Sequence, residues 1–422
     1  MPPAIAFLVS RFPNPSETFI QAQVEGLLER GLKVDVVSLA VGEADVLSTL
    51  LQKWPGKLNV YHALVPKTLG ARLIAAPGAL AAPNAARALD GRFGDDAASL
   101  RLLIAAARWP SGLRGPRVWL AHYGRWGRFA CALRDLGLIE GPVAAVFHGK
   151  DMSAYLKKRP RAYETLFTRG ELFLPISEFW RERLLALGAP ADRTLVHRMG
   201  VDVSRFAETP RSLRPGEPVR FIGVGRMVEK KGFDDALAAF AAFRAAPDAP
   251  QATLTLIGGG ALKAQLEAQA ASLGLGEAVR FTGLLPHARV AEELAAAHVF
   301  VLPSRTAKSG DMEGIPVALM EAMAQGLPVL ATRHSGTPEL IEHDVSGLLC
   351  EEGDRVALAA NMNAIARASG RWSAMGAAGA AKVRAEFDLT LWNDRLAQRL
   401  SEMGASVTSA PTHANTEPHD QA

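Results

Sequence analysis

Short runs of almost unbroken apolar residues alternate along this chain with longer stretches in which apolar residues recur every three or four positions. The run AIAFLVS (4–10) is followed by Ile20, Val24, Leu27 and Leu28 at helical spacing and then by KVDVVSLA (33–40), which reads as strand, helix, strand. Strand candidates continue at RVWLAHYG, PVAAVFHG, ELFLPIS and TLVHRMGV, with helical stretches at 125–136 and 178–187 between them. Short runs apolar throughout belong to strands covered on both faces, so the pattern predicts a mostly parallel sheet flanked by helices.

Residues 207–218 (AETPRSLRPGEP) crowd proline, glycine and charge between two apolar patterns, the composition of a linker. Beyond them a second alternation begins. VRFIGVGR, ATLTLIGGG, VRFTGLL, HVFVLPS, LPVLATRH and SGLLCEE punctuate helices near 232–246, 261–273, 287–297 and 316–325. The expected architecture is α/β, with two doubly wound Rossmann-like domains, 1–206 and 219–384, whose strand ends face each other across a cleft. FDLTLWNDRLAQRL predicts a last helix over 385–403, and from Gly404 the chain has almost no large apolar residue, so 404–422 reads as a disordered tail.

Composition narrows the class. A chain of 422 residues is too long for one core, since single cores stop growing at roughly 250–300 residues. An apolar share of 49% with 21% charged residues is ordinary for a globular protein. Cys131 and Cys350 lie in different halves, which argues against a disulfide framework or a cysteine-rich zinc site and fits a reducing cytoplasm. The first apolar run lacks a basic leader, and the stretch 71–89 is interrupted by Arg72, Pro77, Pro83 and Arg87, so neither spans a bilayer. Residues 1–210 hold 27 Lys and Arg against 19 Asp and Glu, an excess of eight, although the whole chain is only +4. That asymmetry suits anionic lipid head groups, diphosphate carriers or nucleic acid, and a merely solvated basic surface accounts for it equally well.

Candidate chemistry concentrates after HVFVLPS. Asp311, Glu313, Gly314, Ile315 and Pro316 open a helical stretch carrying Glu321, so two carboxylates stand eight residues apart around a proline-initiated helix. Pro316 suits a first helical position, with Glu313 in the preceding loop and Glu321 inside the helix. The helix start favours a diphosphate, and carboxylates accept from sugar hydroxyls, so both features suit a nucleotide sugar; either Glu alone reads as helix surface. After VRFIGVG, a loop can bring Arg226 and Lys231, five apart, to one diphosphate, although as an isolated pair they read as a solvated helix start. His148 stands at the end of PVAAVFHG, at the sheet's carboxyl edge, as a polar ring or a turn cap, and Asp151 suits a helix cap. No Asp-x-Asp, H-E-x-x-H or G-x-S-x-G is present, and Gly223-Val-Gly225 lacks the third glycine and the acid about 20 residues on that a dinucleotide fingerprint needs.

Glu313 and Glu321, within GDMEGIPVALMEAMAQGLPVLATRHSGTPELIEHDVSGLL, resemble the Glu-x7-Glu motif of retaining GT-B glycosyltransferases of family 4, also called group 1. The stretch is similar to the subgroup that builds bacterial exopolysaccharides such as colanic acid. The resemblance implies a GT-B fold with the donor site in the second domain. Glu313 would lie at the donor sugar and Glu321 on the ribose, with Gly314, Ile315 and Pro316 beside them. Through the pattern GR-x4-KG, Arg226 and Lys231 would hold the donor phosphates, while Lys230 falls outside that spacing and reads as surface. His148 would reach over the donor sugar within H-G-x-D, and Gly258, Gly259 and Gly260 would lie near the nucleotide. The loop RFPNPSETF departs from the Gly-Gly of many members and resembles the SETFI variant, so Ser16, Glu17 and Thr18 would border the diphosphate or the acceptor; Ser16 reads equally well as an N-cap. Met199 stands where an Asn commonly precedes Gly200. The last helix would return to pack on the first domain.

The implied activity moves a sugar from a nucleotide-diphosphate donor to a glycan or lipid-diphosphate-linked acceptor, with retention and with no metal or other cofactor. No nucleic acid partner is expected, and a cytoplasmic enzyme peripheral on the anionic inner membrane surface fits the basic first half. Two other readings stand beside it, a nucleotide-sugar epimerase and a non-catalytic nucleotide-sugar-binding subunit of a polysaccharide assembly system. Intact His148, Arg226, Lys231 and Glu313 argue against a dead homologue.

Overall fold

The computed structural model describes residues 3–83, 85–113 and 115–408. The apolar runs fold as twelve strands in two six-stranded sheets. The first contains β1 (Ile5–Val9), β2 (Val34–Ser38), β3 (Leu58–His62), β4 (Val118–His122), β5 (Val143–Phe147) and β6 (Leu172–Pro175), in the order β3-β2-β1-β4-β5-β6. The second contains β7 (Val219–Val224), β8 (Ala252–Ile257), β9 (Val279–Gly283), β10 (Val299–Leu302), β11 (Val329–Thr332) and β12 (Gly347–Cys350), in the order β12-β11-β10-β7-β8-β9. Counted from its own first strand, each sheet has the doubly wound order 3-2-1-4-5-6. Pairing is parallel, with Ile5 opposite Val34 and Val118 in the first sheet and Val219 opposite Ala252 in the second. Strands β1, β4, β5, β10 and β11 are buried along their whole length, which is why they read as unbroken apolar runs.

Two strand assignments differ from the sequence reading. Strand β3, LNVYH, is mostly only half-buried at the sheet's edge and needs no continuous apolar run, so its pattern is weak. TLVHRMGV forms no strand. Its Leu195 and His197 N–H groups donate to the carbonyls of Phe173 and Pro175, both at 2.9 Å, and then the backbone turns to a different partner, Val201 N–H donating to Phe387 O at 2.9 Å. A single bridge, Phe173 with Thr194, is all that the ladder becomes.

Helices occupy the expected stretches, among them Gly124–Asp135, Glu178–Ala186, Phe233–Ala245, Lys263–Ser272 and His287–Ala296. The helix carrying Glu321 is Val317–Ala324, and Pro316 is its N-cap rather than its first residue, the Pro316 carbonyl accepting from Leu319 N–H at 3.0 Å. The last helix, Leu389–Thr408, continues through the first residues expected in the tail. Gly404 is buried there, so close to Pro3 that a Cβ would lie 2.4 Å from the proline ring. Residues 409–422 of that expected tail lie outside the described residues. Among the described residues no helix is long and apolar enough to cross a membrane, and both cysteines are buried free thiols.

The chain divides into two compact units, one of Met1–Ala145, Thr168–Leu172 and Asn393–Ala422, the other of Val146–Phe167 and Phe173–Trp392. Most of residues 146–206 thus fall in the second unit. Within that unit the loop after β7 is stitched to the end of β8: Gly225 N–H donates to Ile257 O at 3.0 Å and Met227 N–H to Gly259 O at 2.7 Å. Gly258 sits between them at φ 137°, where a Cβ would stand 2.0 Å from Gly225 O. Replacing Gly258 with Ala therefore imposes both a disfavoured backbone and a clash with a carbonyl, and should lower unfolding free energy by about 1–3 kcal/mol in urea titrations. Wild-type stability in that variant would mean that the two loops separate freely.

Candidate functional site

In an open doubly wound sheet the crevice opens where neighbouring strands send their connections in opposite directions. In the second sheet that point lies between β7 and β10. The loop after β7 contains a single helical turn, Glu229–Lys231, and the segment after β10 carries Asp311 and Glu313. Lys231 Nζ lies 3.2 Å from Glu313 Oε2, and Lys230 Nζ lies 3.5 Å from Glu313 Oε1 and 3.3 Å from Asp311 Oδ2. Lys230 is thus not a surface residue: it is only 8% exposed, and its ammonium also donates to Met312 O at 3.4 Å. Asp311, outside the Arg-Lys spacing, supplies the counter-ion that lets this second lysine be buried.

Burial pushes the Glu313 carboxyl up, and the Lys231 and Lys230 ammonium groups overcome that, holding it at about 2. The group is an ionised acceptor at neutral pH. Glu313 Oε1 and Asp311 Oδ1 are buried and make no hydrogen bond among the described residues, so accepting capacity remains on both carboxylates.

The Glu313 backbone is held from the other side by residues that the sequence reading passed over. Its N–H donates to His334 Nε2 at 2.9 Å, and His334 Nδ1 meets Glu352 Oε1 at 2.5 Å. An accepting Nε2 puts the ring proton on Nδ1, facing the carboxylate, and Glu352 Oε2 is itself oriented by Thr306 N–H at 2.7 Å. The Ser335 hydroxyl donates to the carbonyls of Glu313 at 2.9 Å and Gly314 at 3.2 Å. The only sequence signal for this support is position, since His334 and Ser335 come just after β11, with Arg333 between, at the carboxyl edge of the sheet.

His148 follows β5, and Gly149 packs on the Glu313 loop so tightly that a Cβ there would lie 2.5 Å from Met312 O. Ser153 strengthens the junction, its hydroxyl donating to Gly149 O at 2.6 Å and accepting from Met312 N–H at 3.1 Å. Asp151 turns back to accept the His148 backbone N–H at 2.7 Å. Burial holds the His148 imidazole down to about 3, so at neutral pH it is an uncharged ring.

Lys231, Glu313, Gly314 and the loop bearing His148 are therefore brought together. Ile315 is buried against Gly336, and Pro316 caps the following helix. Arg226 is exposed, and its guanidinium makes no ion pair or hydrogen bond among the described residues. Glu321, on the helix Val317–Ala324, is raised to about 7 by burial, with Arg205 pulling the other way. Among the described residues no hydrogen bond or ion pair joins Arg226 or Glu321 to Glu313.

In the first unit, the corresponding point between β1 and β4 holds Ser16, Glu17 and Thr18. Glu17, not Ser16, takes the N-cap position of the helix Thr18–Glu29, and the Ser16 hydroxyl donates to Asn14 Oδ1 at 3.1 Å. The Glu17 carboxylate accepts from Asn14 Nδ2 at 3.0 Å and from the Tyr123 hydroxyl at 2.8 Å. Tyr123 comes from the end of β4 and carried no sequence signal.

Residues 204–381 match the family described as Glycosyl transferases group 1. The chain is 35% identical to AmsK of Erwinia amylovora, an amylovoran biosynthesis glycosyltransferase, over 411 residues that cover 94% of this chain and 99% of that protein. It is 36% identical over 379 residues to WcaL of Salmonella typhimurium, a protein named for colanic acid biosynthesis, covering 86% of this chain and 90% of WcaL. The fold is similar to that of Anabaena HepE, solved in complex with UDP, with a TM-score of 0.69 at 21% identity over 94% of this chain and 100% of that one.

Removing the buried Lys230 charge leaves Asp311 without its ion-pair partner and Glu313 with one lysine. Lys230→Met should cost on the order of 3 kcal/mol of stability at neutral pH. Because Glu313 is depressed from 4.5 to about 2, its contribution is present above 4.5 and is lost as pH falls through 2, so the cost should shrink in acid. Denaturant titrations at pH 7 and pH 3 check both points; an equal cost at the two would contradict the electrostatic origin.

Proposed function

Because this chain belongs to the group 1 glycosyltransferases, we propose that its second unit binds a nucleotide-diphosphate sugar and that the sugar passes, with retention, to a glycan or lipid-diphosphate-linked acceptor of bacterial exopolysaccharide synthesis. Its relationship to AmsK and WcaL runs along nearly their whole lengths, and the chain is a glycosyltransferase. The observation that carries the donor reading is the Glu313 carboxylate held ionised between two buried ammonium groups at the switch point of the second sheet.

Each part of such a donor has a chemical counterpart. The diphosphate is anionic, and Lys231 together with the uncommitted Arg226 offers cations to it. They provide the charge that a divalent metal supplies in other transferases, and we include metal independence in the proposal. The donor sugar presents hydroxyls to the free acceptor capacity of Glu313, and the neutral His148 ring both donates and accepts. Glu321 takes the ribose hydroxyls, and Gly314, Ile315 and Pro316 shape the backbone that the donor crosses. Ser16, Glu17 and Thr18 in the first unit are assigned to the acceptor or the diphosphate.

In the proposed reaction the bond from the anomeric carbon to the β-phosphate oxygen breaks and a bond to the acceptor oxygen forms on the same face. The acceptor proton passes to the leaving diphosphate, whose negative charge is stabilised by Lys231 and Arg226. Glu313 orients the sugar through its hydroxyls. A lipid-linked acceptor places the enzyme peripherally on the anionic inner membrane surface, with its own body in the cytoplasm.

Calorimetric titration with UDP, GDP and ADP sugars tests the donor site. One donor should bind, equally well with EDTA present, and Arg226→Ala or Lys231→Ala should weaken it about tenfold or more. Glu313→Gln should retain the donor but lose about a hundredfold in transfer rate; transfer at the wild-type rate would remove Glu313 from the mechanism, and failure of every donor to bind would remove the site.

Glu321 adds a pH signature. Raised to about 7, it is half protonated at neutral pH, and hydroxyl donors prefer its ionised form. Donor affinity should therefore rise with pH through 7 and level off above it, while Glu321→Gln should be flat over the same range. A wild-type curve without that step would exclude Glu321 from the contact.

A further inference from the structure

The helix Leu69–Leu80 in the first unit is turned inside out. Its one charged residue, Arg72, is only 4% exposed, while Ile74 is 85% exposed and Leu73 58%. Leu69 and Leu80 are exposed as well. A helix on a water-facing surface normally does the reverse, burying its apolar stripe and presenting its charges. Here the inner side, packed on the helix Arg101–Ala107, takes the arginine, whose Nε donates to Thr68 O at 3.2 Å.

The exposed charge next to this helix is basic: Lys67 two residues before it, Arg87 on the short helix Ala85–Leu89 packed against it, and Arg108 at the end of the helix Arg101–Ala107. Residues 46–134 contain 13 Lys and Arg against three Asp and Glu. The acids meet bases of the same segment, Asp90 with Arg92 at 3.4 Å and Asp96 with Arg128 at 2.8 Å, while Asp95 acts on Arg101; three of the bases are paired with acids outside it, Lys53 with Glu25, Arg117 with Asp35 and Arg134 with Glu171. Burial, and then the charges of Arg125 and Arg72, hold the Arg101 guanidinium down, while Asp96 and Asp95 act the other way. Partly buried charges are screened less than exposed ones, so their positive potential reaches the surface above them.

We propose that this helix is the docking face for an anionic lipid bilayer, with Leu73 and Ile74 entering the interfacial zone and the basic segment around them drawn to the head groups. Apolar side chains and positive charge on one face are the two components of reversible interfacial attachment. A second copy of the chain would bring the same excess of positive charge against itself, which disfavours self-association through this face. The proposal locates the surface by which the membrane association suggested above would occur, and rests on that reading for its purpose.

Flotation of the full chain with phosphatidylcholine vesicles, with and without phosphatidylglycerol, tests it. The wild-type protein should partition at least tenfold more into the phosphatidylglycerol vesicles, and raised salt should reduce that preference. The double variant Leu73→Ser, Ile74→Ser should lose about tenfold in partition. Both side chains are exposed, so thermal stability and donor binding should stay at wild-type levels. Equal partition into the two vesicle types, a double variant that floats like wild type, or a concentration-dependent dimer that the double variant abolishes would each overturn the proposal. Donor titration of the same samples separates the two readings: a protein that binds vesicles in this pattern but no nucleotide sugar would leave the surface standing and the donor site refuted.

Discussion

The organisation of the second unit depends on a four-charge cluster at the point where its sheet reverses direction. Lys230 and Lys231 come from the loop after β7, Asp311 and Glu313 from the segment after β10. Buried charge is costly unless each ion finds its counter-ion, and here every lysine lies within ion-pair distance of a carboxylate. The requirement ties the two loops together and fixes Glu313 against the packed Gly149 turn on one side and the Glu352–His334 pair on the other. Strand order and glycine placement upstream deliver these loops to one edge.

The two sheets share one winding order and have diverged at the same point in it. In the first unit the acid at the switch point, Glu17, is held by a neutral amide and a phenol. In the second the acid is held by two ammonium groups. The same topology thus offers a hydroxyl-and-amide environment in one unit and a cationic one in the other.

Sequence pattern revealed most of this architecture because strands buried along their whole length, such as β10 and β11, leave little choice of residue, and even the half-exposed edge strand β9 keeps Val279 and Phe281 in a legible run. Edge strand β3 did not stand out, since a half-exposed strand tolerates Asn59 and His62. TLVHRMGV misled in the opposite sense, an apolar-looking segment whose backbone bonds to the 387–389 turn instead of extending a ladder. Motif spacing singled out Lys231 and Glu313, which the structure brings together, along with Arg226 and Glu321, which it does not join to that pair. It misassigned Lys230 because spacing runs along one loop, whereas the counter-ion that buries this lysine, Asp311, lies 81 positions later. His334, Glu352 and Tyr123 escaped for the same reason: their partners are neighbours only once strands stand side by side.

The pairing of Lys231 with Glu313 makes the site an ion exchanger with its own resident counter-ion. Any anion that reaches Lys231 does so in competition with a carboxylate already 3.2 Å away. Simple phosphate gains little from that exchange, because whatever it adds to the lysine it withdraws from Glu313. A ligand that brings an anionic group and hydroxyl donors together satisfies both members of the pair at once.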